Sequence, residues 1–371
     1  MTNETIHTVA LVGTGLIGGS LGLVLRARRS DLHIVAYDPN AGPEAVHRGA
    51  AHHSATSLRA AVHEADVVVL GTPVRFLPGL LGDIAPHLKP GALVTDVGSV
   101  KAPLVAHAAD VLPTANPFVG GHPMAGAERG GIAHADAFLF ENATWVLCPP
   151  QDVAEVEVAE RYPALIDLVE ATGARVLVLD AKRHDRIAAL VSHVPQLVAV
   201  LLMTLAAESN ADDDAFVRLA AGGFRDMTRI ASSPFDLWRD ILVANEGPVL
   251  DAMARLADAL QAMRYDLAGT DLAALAQRFD EARTVRNTIP KDTKGFLAPL
   301  ADVYVYAEDR PGFLLRLVQT LYEGGLSIKD IELLKIREGT GGAFRFGFAT
   351  APDADRAVAA FTEAGYTAYR L

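Results

Sequence analysis

The sequence predicts an α/β protein in three parts. A doubly wound sheet takes residues 1–180 and an all-helical segment residues 181–287; after a linker at 288–299, a βαββαβ ferredoxin-like plait takes residues 300–371. Three observations carry this. Up to about residue 180, short β-rich runs alternate with amphipathic stretches, the pattern of parallel strands joined by crossover helices. From residue 181 to about 286 the β-like runs vanish, and Leu197, Val200, Leu201 and Leu205 fall at helical spacing. Beyond residue 300 the order is strand, helix, strand, strand, helix, strand.

The β-rich runs of the first part are residues 7–12, 33–37, 66–70, 93–97, 144–147 and 175–179. A further strand-like run at 116–119 leads into Gly120-Gly121-His122-Pro123-Met124-Ala125-Gly126, read as a loop before a helix-like run. In the helical part the first helix is apolar nearly all round, which suits burial against another helix layer or a second subunit and predicts a homodimer. Ser192-His193-Val194-Pro195-Gln196 interrupts it, and a proline there frees a carbonyl and kinks the axis. Residues 222–231 read as a short helical turn with Arg225 and Arg229 on one face. The next helix is expected to start at Ser233 as cap with Pro234 at the first helical position. Residues 288–299 carry prolines, a glycine and lysines without periodicity. In the third part the strands are placed at 302–306, 328–336, 343–349 and 367–371, and the helices at 313–323 and 353–364.

Half of the 371 residues are hydrophobic, ample for sizeable cores, and 33 basic against 45 acidic residues give a net charge of −12. Without a Lys/Arg tract, such a surface repels a phosphate backbone, so nucleic acid is excluded as a partner. The single cysteine, Cys148, rules out an internal disulfide and a Cys-rich metal site, and fits a reducing, cytoplasmic compartment. The apolar start at 9–25 lacks a basic leader and is broken by glycines, so it reads as strand, turn and helix and not as a signal segment. The other long apolar run, 197–207, falls short of the roughly 18 residues of a membrane span, and no membrane insertion is expected.

Gly13-Thr14-Gly15-Leu16-Ile17-Gly18 follows the first strand and opens a helix, the context a dinucleotide-binding motif requires. Its glycines allow a tight turn, close backbone approach to a pyrophosphate and helix-on-sheet packing, while the helix N-terminus favours negative charge. The domain is therefore Rossmann-type. Asp38 ends the second strand about twenty residues on, where its carboxylate can accept from the adenosine ribose hydroxyls. No Arg or Lys directly follows it to hold a 2′-phosphate, so NAD is favoured over NADP, although Arg48 lies nearby. Thr72-Pro73 and Gly98-Ser99, at the ends of later strands, face the same crevice. Thr72 reads equally as a strand terminator or helix cap.

His122, wedged among glycines and a proline, is placed to serve as general base, since an imidazole titrates close to neutrality. A loop histidine also has a purely structural reading; Glu128 brings a carboxylate to the same loop or is a solvated acid. His193 faces a cavity at the proline kink or is a satisfied core histidine. Arg229, at a helix junction, can capture a carboxylate bidentately, or pair with Asp226 or Glu246. Trp238 is expected in the cleft wall.

The motifs GTGLIGGS, DVGSVK, GGHPMAG, SHVPQ and GGFRDMTRIA, followed by WRD, resemble the prephenate dehydrogenase family over residues 1–286. The third part resembles an ACT domain, through Asp309-Arg310-Pro311-Gly312 and Gly325-Leu326-Ser327-Ile328. The resemblance implies NAD-dependent oxidative decarboxylation of prephenate to 4-hydroxyphenylpyruvate in tyrosine biosynthesis. His122 would then accept the proton, Ser99 steady His122 and the nicotinamide end, and His193 contact substrate. Arg229 would bind a substrate carboxylate, with Glu128 at the entrance and Gln196 beside the substrate. The sequence departs from a common family pattern at Ala127, where many relatives have a hydroxyl residue, and at Gln196, where some have a second histidine. Arogenate, differing at the side-chain amine, is the alternative substrate. The ACT-like part implies feedback by tyrosine or another amino acid near Asp309, Gly312 and Ile328, or only assists oligomerisation. A β-hydroxyacid dehydrogenase is disfavoured by GGHPMAG and by the lack of an evident catalytic lysine. A non-catalytic amino-acid sensor is disfavoured by the intact Gly13, Gly15, Gly18, Asp38 and His122 set. No metal site is expected.

Overall fold

The β-branched runs of the first part become strands whose alternate residues enter two separate cores. In the computed structural model, which describes residues 6–126, 129–210, 218–269, 272–288, 300–307, 310–337 and 341–370, β1 (Thr8–Val12), β2 (His33–Tyr37) and β4 (Val67–Leu70) form the centre of an eight-stranded sheet. Val9, Leu11, Ile34, Ala36, Val67 and Val69 pack to one side, with Leu21, Val24 and Leu25 of helix Leu16–Arg28 and Leu165 and Leu168 of helix Pro163–Glu170. Ala10, Val12, Val35, Val68 and Leu70 pack to the other, with Leu77, Leu81 and Ile84 of helix Leu77–Ile84 and Leu104 and Val105 of helix Ala102–Val111. Apolar residues on both faces are what a sheet covered by helices on both sides demands.

With β3 (His53–Ser54), β5 (Leu93–Asp96), β6 (Phe118–Pro123), β7 (Thr144–Cys148) and β8 (Arg175–Val178), the strand order is β3-β2-β1-β4-β5-β6-β7-β8. Every pairing is parallel except β6 with β7. That exception corrects the sequence reading. The Gly120–Pro123 stretch is not loop but the end of β6, because Gly120, Gly121, His122 and Pro123 pair with Cys148, Leu147, Val146 and Trp145. Glycine is required there: a Cβ on Gly121 would collide with the Asp96 carbonyl and crowd the Trp145 indole. The helix-like run expected next shrinks to the 3₁₀ turn Ile132–His134, and the two-residue β3 was not anticipated.

The helical part opens with helix Ala181–Ala188, capped by the Asp180 carboxylate accepting from the Arg183 amide at 2.9 Å. It passes through a π-turn, Ala189–His193, into helix Val194–Asn210. The π-turn takes up the bonding change that Pro195 imposes, so the helix continues where an interruption was expected. Helix Gly222–Thr228, a 3₁₀ turn at Arg229–Ser232, and helices Phe235–Ala244, Glu246–Ala268 and Leu272–Thr288 follow. The expected Ser233 cap is displaced: Pro234 holds the cap position and no side chain caps Phe235–Ala244.

This part has a small core of Ala189, Val194, Val249 and Ala252, joined by Leu197, Val198 and Leu242. Leu201, Leu205, Leu256, Leu260 and Met263 remain exposed. The continuous helix Ala181–Ser209 is long and apolar enough to cross a membrane by length and composition, which corrects the reading that the apolar run falls short.

The chain divides into two units at Ala276, so the sheet and most of the helical part belong to one unit. Of the linker, Thr288 ends a helix and the rest lies outside the described residues. In the second unit β9 (Ala301–Ala307), helix Phe313–Glu323, β10 (Asp330–Arg337), β11 (Gly341–Phe348), helix Ala351–Glu363 and β12 (Ala368–Tyr369) form an antiparallel sheet of order β10-β11-β9-β12. Val303, Val305, Phe344, Phe346 and Phe348 pack under Leu317, Leu321, Ala357 and Phe361 of the two helices, the ferredoxin-like plait the sequence predicts.

Candidate active site

The dinucleotide motif adopts the geometry its glycines permit. Gly13 has φ +96°, and a Cβ there would come within 2.8 Å of the Gly71 backbone; one on Gly18 would strike the Gly13 carbonyl oxygen. Gly15 is different: among the described residues nothing lies within 4 Å of where its Cβ would be. It caps helix Leu16–Arg28, whose N-terminus begins at Leu16 and Ile17. An open space beside backbone amides at a helix N-terminus is the cradle a pyrophosphate needs. The Asp38 carboxylate accepts from the amides of Thr14, Asn40 and Ala41, each at 2.9 Å. Burial opposes its ionisation, but those amides outweigh it and hold the carboxyl below its usual value. The charged acceptor is thus ready for ribose hydroxyls. Arg48 is committed elsewhere, donating to Glu44 at 2.7 Å and to the Ala133 carbonyl at 3.3 Å. Thr72, followed by the exposed Pro73, keeps its Oγ1 buried beside Gly13, without a partner among the described residues. These residues fit NAD.

His122 stands near the end of β6, half-buried, and its Nδ1 lies 2.8 Å from Nε2 of His184. His184 Nδ1 lies in turn 2.8 Å from Oδ1 of Asp185. Burial pushes the His122 imidazole well below its usual value, and His184, Lys101 and His193 act in the same direction. The ring is therefore neutral around pH 7, the state in which it can take a proton.

Beneath it, the buried Lys101 ammonium donates to the Asp96 carboxylate and, at 2.9 Å, to the Gly121 carbonyl. Asp96 also accepts from the amides of Gly98 and Gly121 at 2.7 and 3.0 Å. This network clamps β5 to β6 under the histidine. Ser99, expected to steady His122, is half-buried in the turn after β5; among the described residues it forms no bond with the His122 ring, whose partner is His184.

His193 is buried at the end of the π-turn, with Nδ1 3.1 Å from Asn245 Nδ2 and its ring 6.0 Å from that of Trp238, edge to face. Burial pushes it down to about 4, with His184 adding to the effect and Asp185 opposing it. Gln196, one turn on, donates from Nε2 to the Ile230 carbonyl at 3.0 Å, which pins the 3₁₀ turn carrying the exposed Arg229. Gln196 Oε1 and Trp238 Nε1 are buried without a partner among the described residues. Glu128 and Ala127, like Asp309 in the second unit, lie outside the described residues. Gly312, in that unit, has φ +79° at the start of helix Phe313–Glu323, and Ile328 is half-buried.

Sequence reasoning missed His184, Asp185, Asn245, Lys101 and Asp96. One pattern could have found the first two. In helix Ala181–Ala188 the buried positions are Ala181, His184, Asp185 and Ala188, so a His-Asp pair occupies the stripe that periodicity assigns to the interior. Buried polar groups of that kind need partners.

The family model described as "Prephenate dehydrogenase, nucleotide-binding domain" matches residues 21–178, and "Prephenate dehydrogenase, dimerization domain" matches residues 180–281. A prephenate dehydrogenase of Bacillus subtilis is 34% identical over 358 residues, covering 96% of this chain and 95% of that protein. Among solved structures, prephenate dehydrogenase from Aquifex aeolicus in complex with hydroxyphenyl propionate and NAD+ superposes with a TM-score of 0.70 at 29% identity, covering 78% of this chain and all of that one. Synechocystis arogenate dehydrogenase gives 0.66 at 27% identity, covering 76% and 99%.

Proposed function

Since the chain belongs to the prephenate dehydrogenase family, we propose that it performs the NAD-dependent oxidative decarboxylation of prephenate to 4-hydroxyphenylpyruvate. One observation carries the reading: the half-buried imidazole of His122, on the strand beside the dinucleotide crevice, is held by His184 at 2.8 Å. When bound, NAD supplies the hydride acceptor, held by the amides around Gly15 and by Asp38. His122 withdraws the proton of the ring hydroxyl as hydride leaves the same carbon. The new carbonyl, conjugated through the ring, receives the electron pair of the breaking carbon–carboxylate bond; carbon dioxide departs and the ring becomes aromatic. His193 and Arg229 are assigned to substrate binding, with Gln196 fixing the Arg229 turn.

The test is absorbance of reduced nicotinamide on mixing the protein, NAD and prephenate. His122→Asn is expected to keep NAD binding and to lose turnover by about 10²–10⁴-fold; equal, mild losses in both would sink the role of His122. Turnover of arogenate in place of prephenate would reassign the substrate and leave the ring chemistry intact.

Three finer readings complete the proposal. A homodimer through the helical part is supported by its exposed leucines and by the family description of that segment. Regulation by an amino acid such as tyrosine at the ACT-like second unit is supported by the left-handed Gly312, which lets a ligand approach the backbone at the helix start. A cytoplasmic setting is supported by the Cys148 thiol, free and pushed up to about 12 by burial, the state of an inert core residue.

A further inference from the structure

Resting on the dehydrogenase reading above, we propose that Asp185 is a positioning residue that sets two imidazoles of the site in opposite tautomers, His122 as a proton acceptor and His193 as a proton donor. Groups whose hydrogen-bonding sense is fixed are the starting point, and the His184 ring is taken with a single proton. The Asp185 side chain accepts from two backbone amides, Lys101 N to Oδ1 at 2.8 Å and Ala102 N to Oδ2 at 2.7 Å. A carboxylate so engaged faces His184 Nδ1 at 2.8 Å as an acceptor, so that nitrogen carries the proton. In the neutral ring His184 Nε2 then bears the lone pair, and the contact at 2.8 Å requires His122 Nδ1 to donate to it. His122 Nε2 is left with a lone pair, the atom that takes the substrate proton. Once protonated, His122 keeps its Nδ1–H bond to His184, with the Asp185 charge behind.

The second arm starts from the same residue's backbone. The Asp185 carbonyl can only accept, and Asn245 Nδ2 donates to it at 2.9 Å. That fixes the amide orientation, since the reverse would set two oxygens face to face. The same NH2 lies 3.1 Å from His193 Nδ1, which must accept its second hydrogen. His193 therefore carries its proton on Nε2, a donor suited to a carboxylate or keto oxygen of the substrate. The two histidines come from different parts of the fold, β6 and the π-turn, and one residue at the head of the helical part dictates both.

Ring ¹⁵N shifts of the full-length, ¹⁵N-histidine-labelled protein test this without substrate. His122, assigned from His122→Asn, should show a protonated Nδ1 and a pyridine-like Nε2 at neutral pH; His193 should show the reverse. The same tautomer on both rings, or either pattern inverted, overturns the proposal. Kinetics provide the second readout. His184→Phe removes the acceptor and should lower kcat by about 10²-fold or more with KM little changed. His184→Gln, whose carbonyl can accept from His122, should recover part of that loss; equal activity in the two variants counts against the relay. Asn245→Leu frees His193 to adopt either tautomer and should raise KM more than it lowers kcat. If the wild-type protein oxidises neither prephenate nor arogenate, the functional reading fails, while the shifts still decide the tautomers.

Discussion

His122 and His184 are 62 residues apart in sequence, yet their imidazoles meet at 2.8 Å. The proposed base belongs to β6 of the sheet and its partner to helix Ala181–Ala188. The site is thus completed only when the helical part folds against the sheet, which ties catalysis to a packed junction and not to a loop.

That junction sets the pH dependence of the reaction. As the proposed base His122 acts in its neutral form, and burial, with His184, Lys101 and His193 acting in the same direction, moves its titration well below the ordinary value of 6.5. kcat/KM should therefore be flat through neutrality and fall only on the acid side, along a limb lying below 6.5. A profile between about pH 5 and 8 measures this; an acid limb centred at 6.5 or higher would mean the ring is solvated.

The same burial makes stability pH-dependent through His193. Its folded value is about 4 against 6.5 for the free side chain. Between the two, the unfolded chain binds a proton that the folded chain does not, so stability is complete above 6.5 and declines as pH falls towards 4. The loss is on the order of 3 kcal/mol. Thermal unfolding of the wild type and of His193→Gln across this window should show the variant with the shallower decline.

Much of the fold was legible in the sequence because apolar alternation and glycine punctuation are local. The strands at 33–37 and 93–97 needed nothing more, and neither did the plait beyond residue 300. The same holds for the turn of Gly13, Gly15 and Gly18, whose geometry follows from one strand–turn–helix, and for the place of Asp38 at the end of the next strand. The failures are non-local. Gly120–Pro123 looked like a loop because glycines and a proline break strands, but the pairing with β7 across Trp145 and Val146 overrides that preference. His184 and Asp185 stand between two arginines and carry no local signal of what they bind; the partners of Asp185, the Lys101 and Ala102 amides, lie more than eighty residues earlier, and that of His184 is His122.

Lys101 carries a stability prediction. Its ammonium and the Asp96 carboxylate are both fully buried, so Lys101→Met leaves an uncompensated buried charge. The expected loss is about 3–5 kcal/mol, read from the denaturant midpoint at neutral pH. A loss below about 1 kcal/mol would indicate that the carboxyl is protonated or that water enters.

Cofactor choice should be governed by Asp38. With three amides already directed at it, the carboxylate repels a 2′-phosphate and accepts ribose hydroxyls. Asp38→Ala is expected to weaken NAD by tenfold or more, about 1.4 kcal/mol, and to narrow the preference over NADP. Titration of nicotinamide binding by fluorescence checks both, and an unchanged NAD affinity would place the ribose elsewhere.

The exposed helical face makes the last prediction. Leu201 and Leu205 are 54% and 58% exposed on helix Val194–Asn210, and Leu260 is 66% exposed on Glu246–Ala268. Leaving such leucines in water forgoes about 1.5–3 kcal/mol for each one that could be buried, whereas a lipid contact would have to accommodate the buried polar groups His193 and Gln196 on the same helix. A second copy of the chain, as in the proposed homodimer, would cover this face at lower cost. Sedimentation of the wild type should give a dimer, and Leu201→Glu combined with Leu205→Glu should give a monomer that retains NAD binding, since the Gly15 cradle belongs to another element, at the start of helix Leu16–Arg28. A monomeric wild type, or a double variant that stays dimeric, would move the interface off these helices.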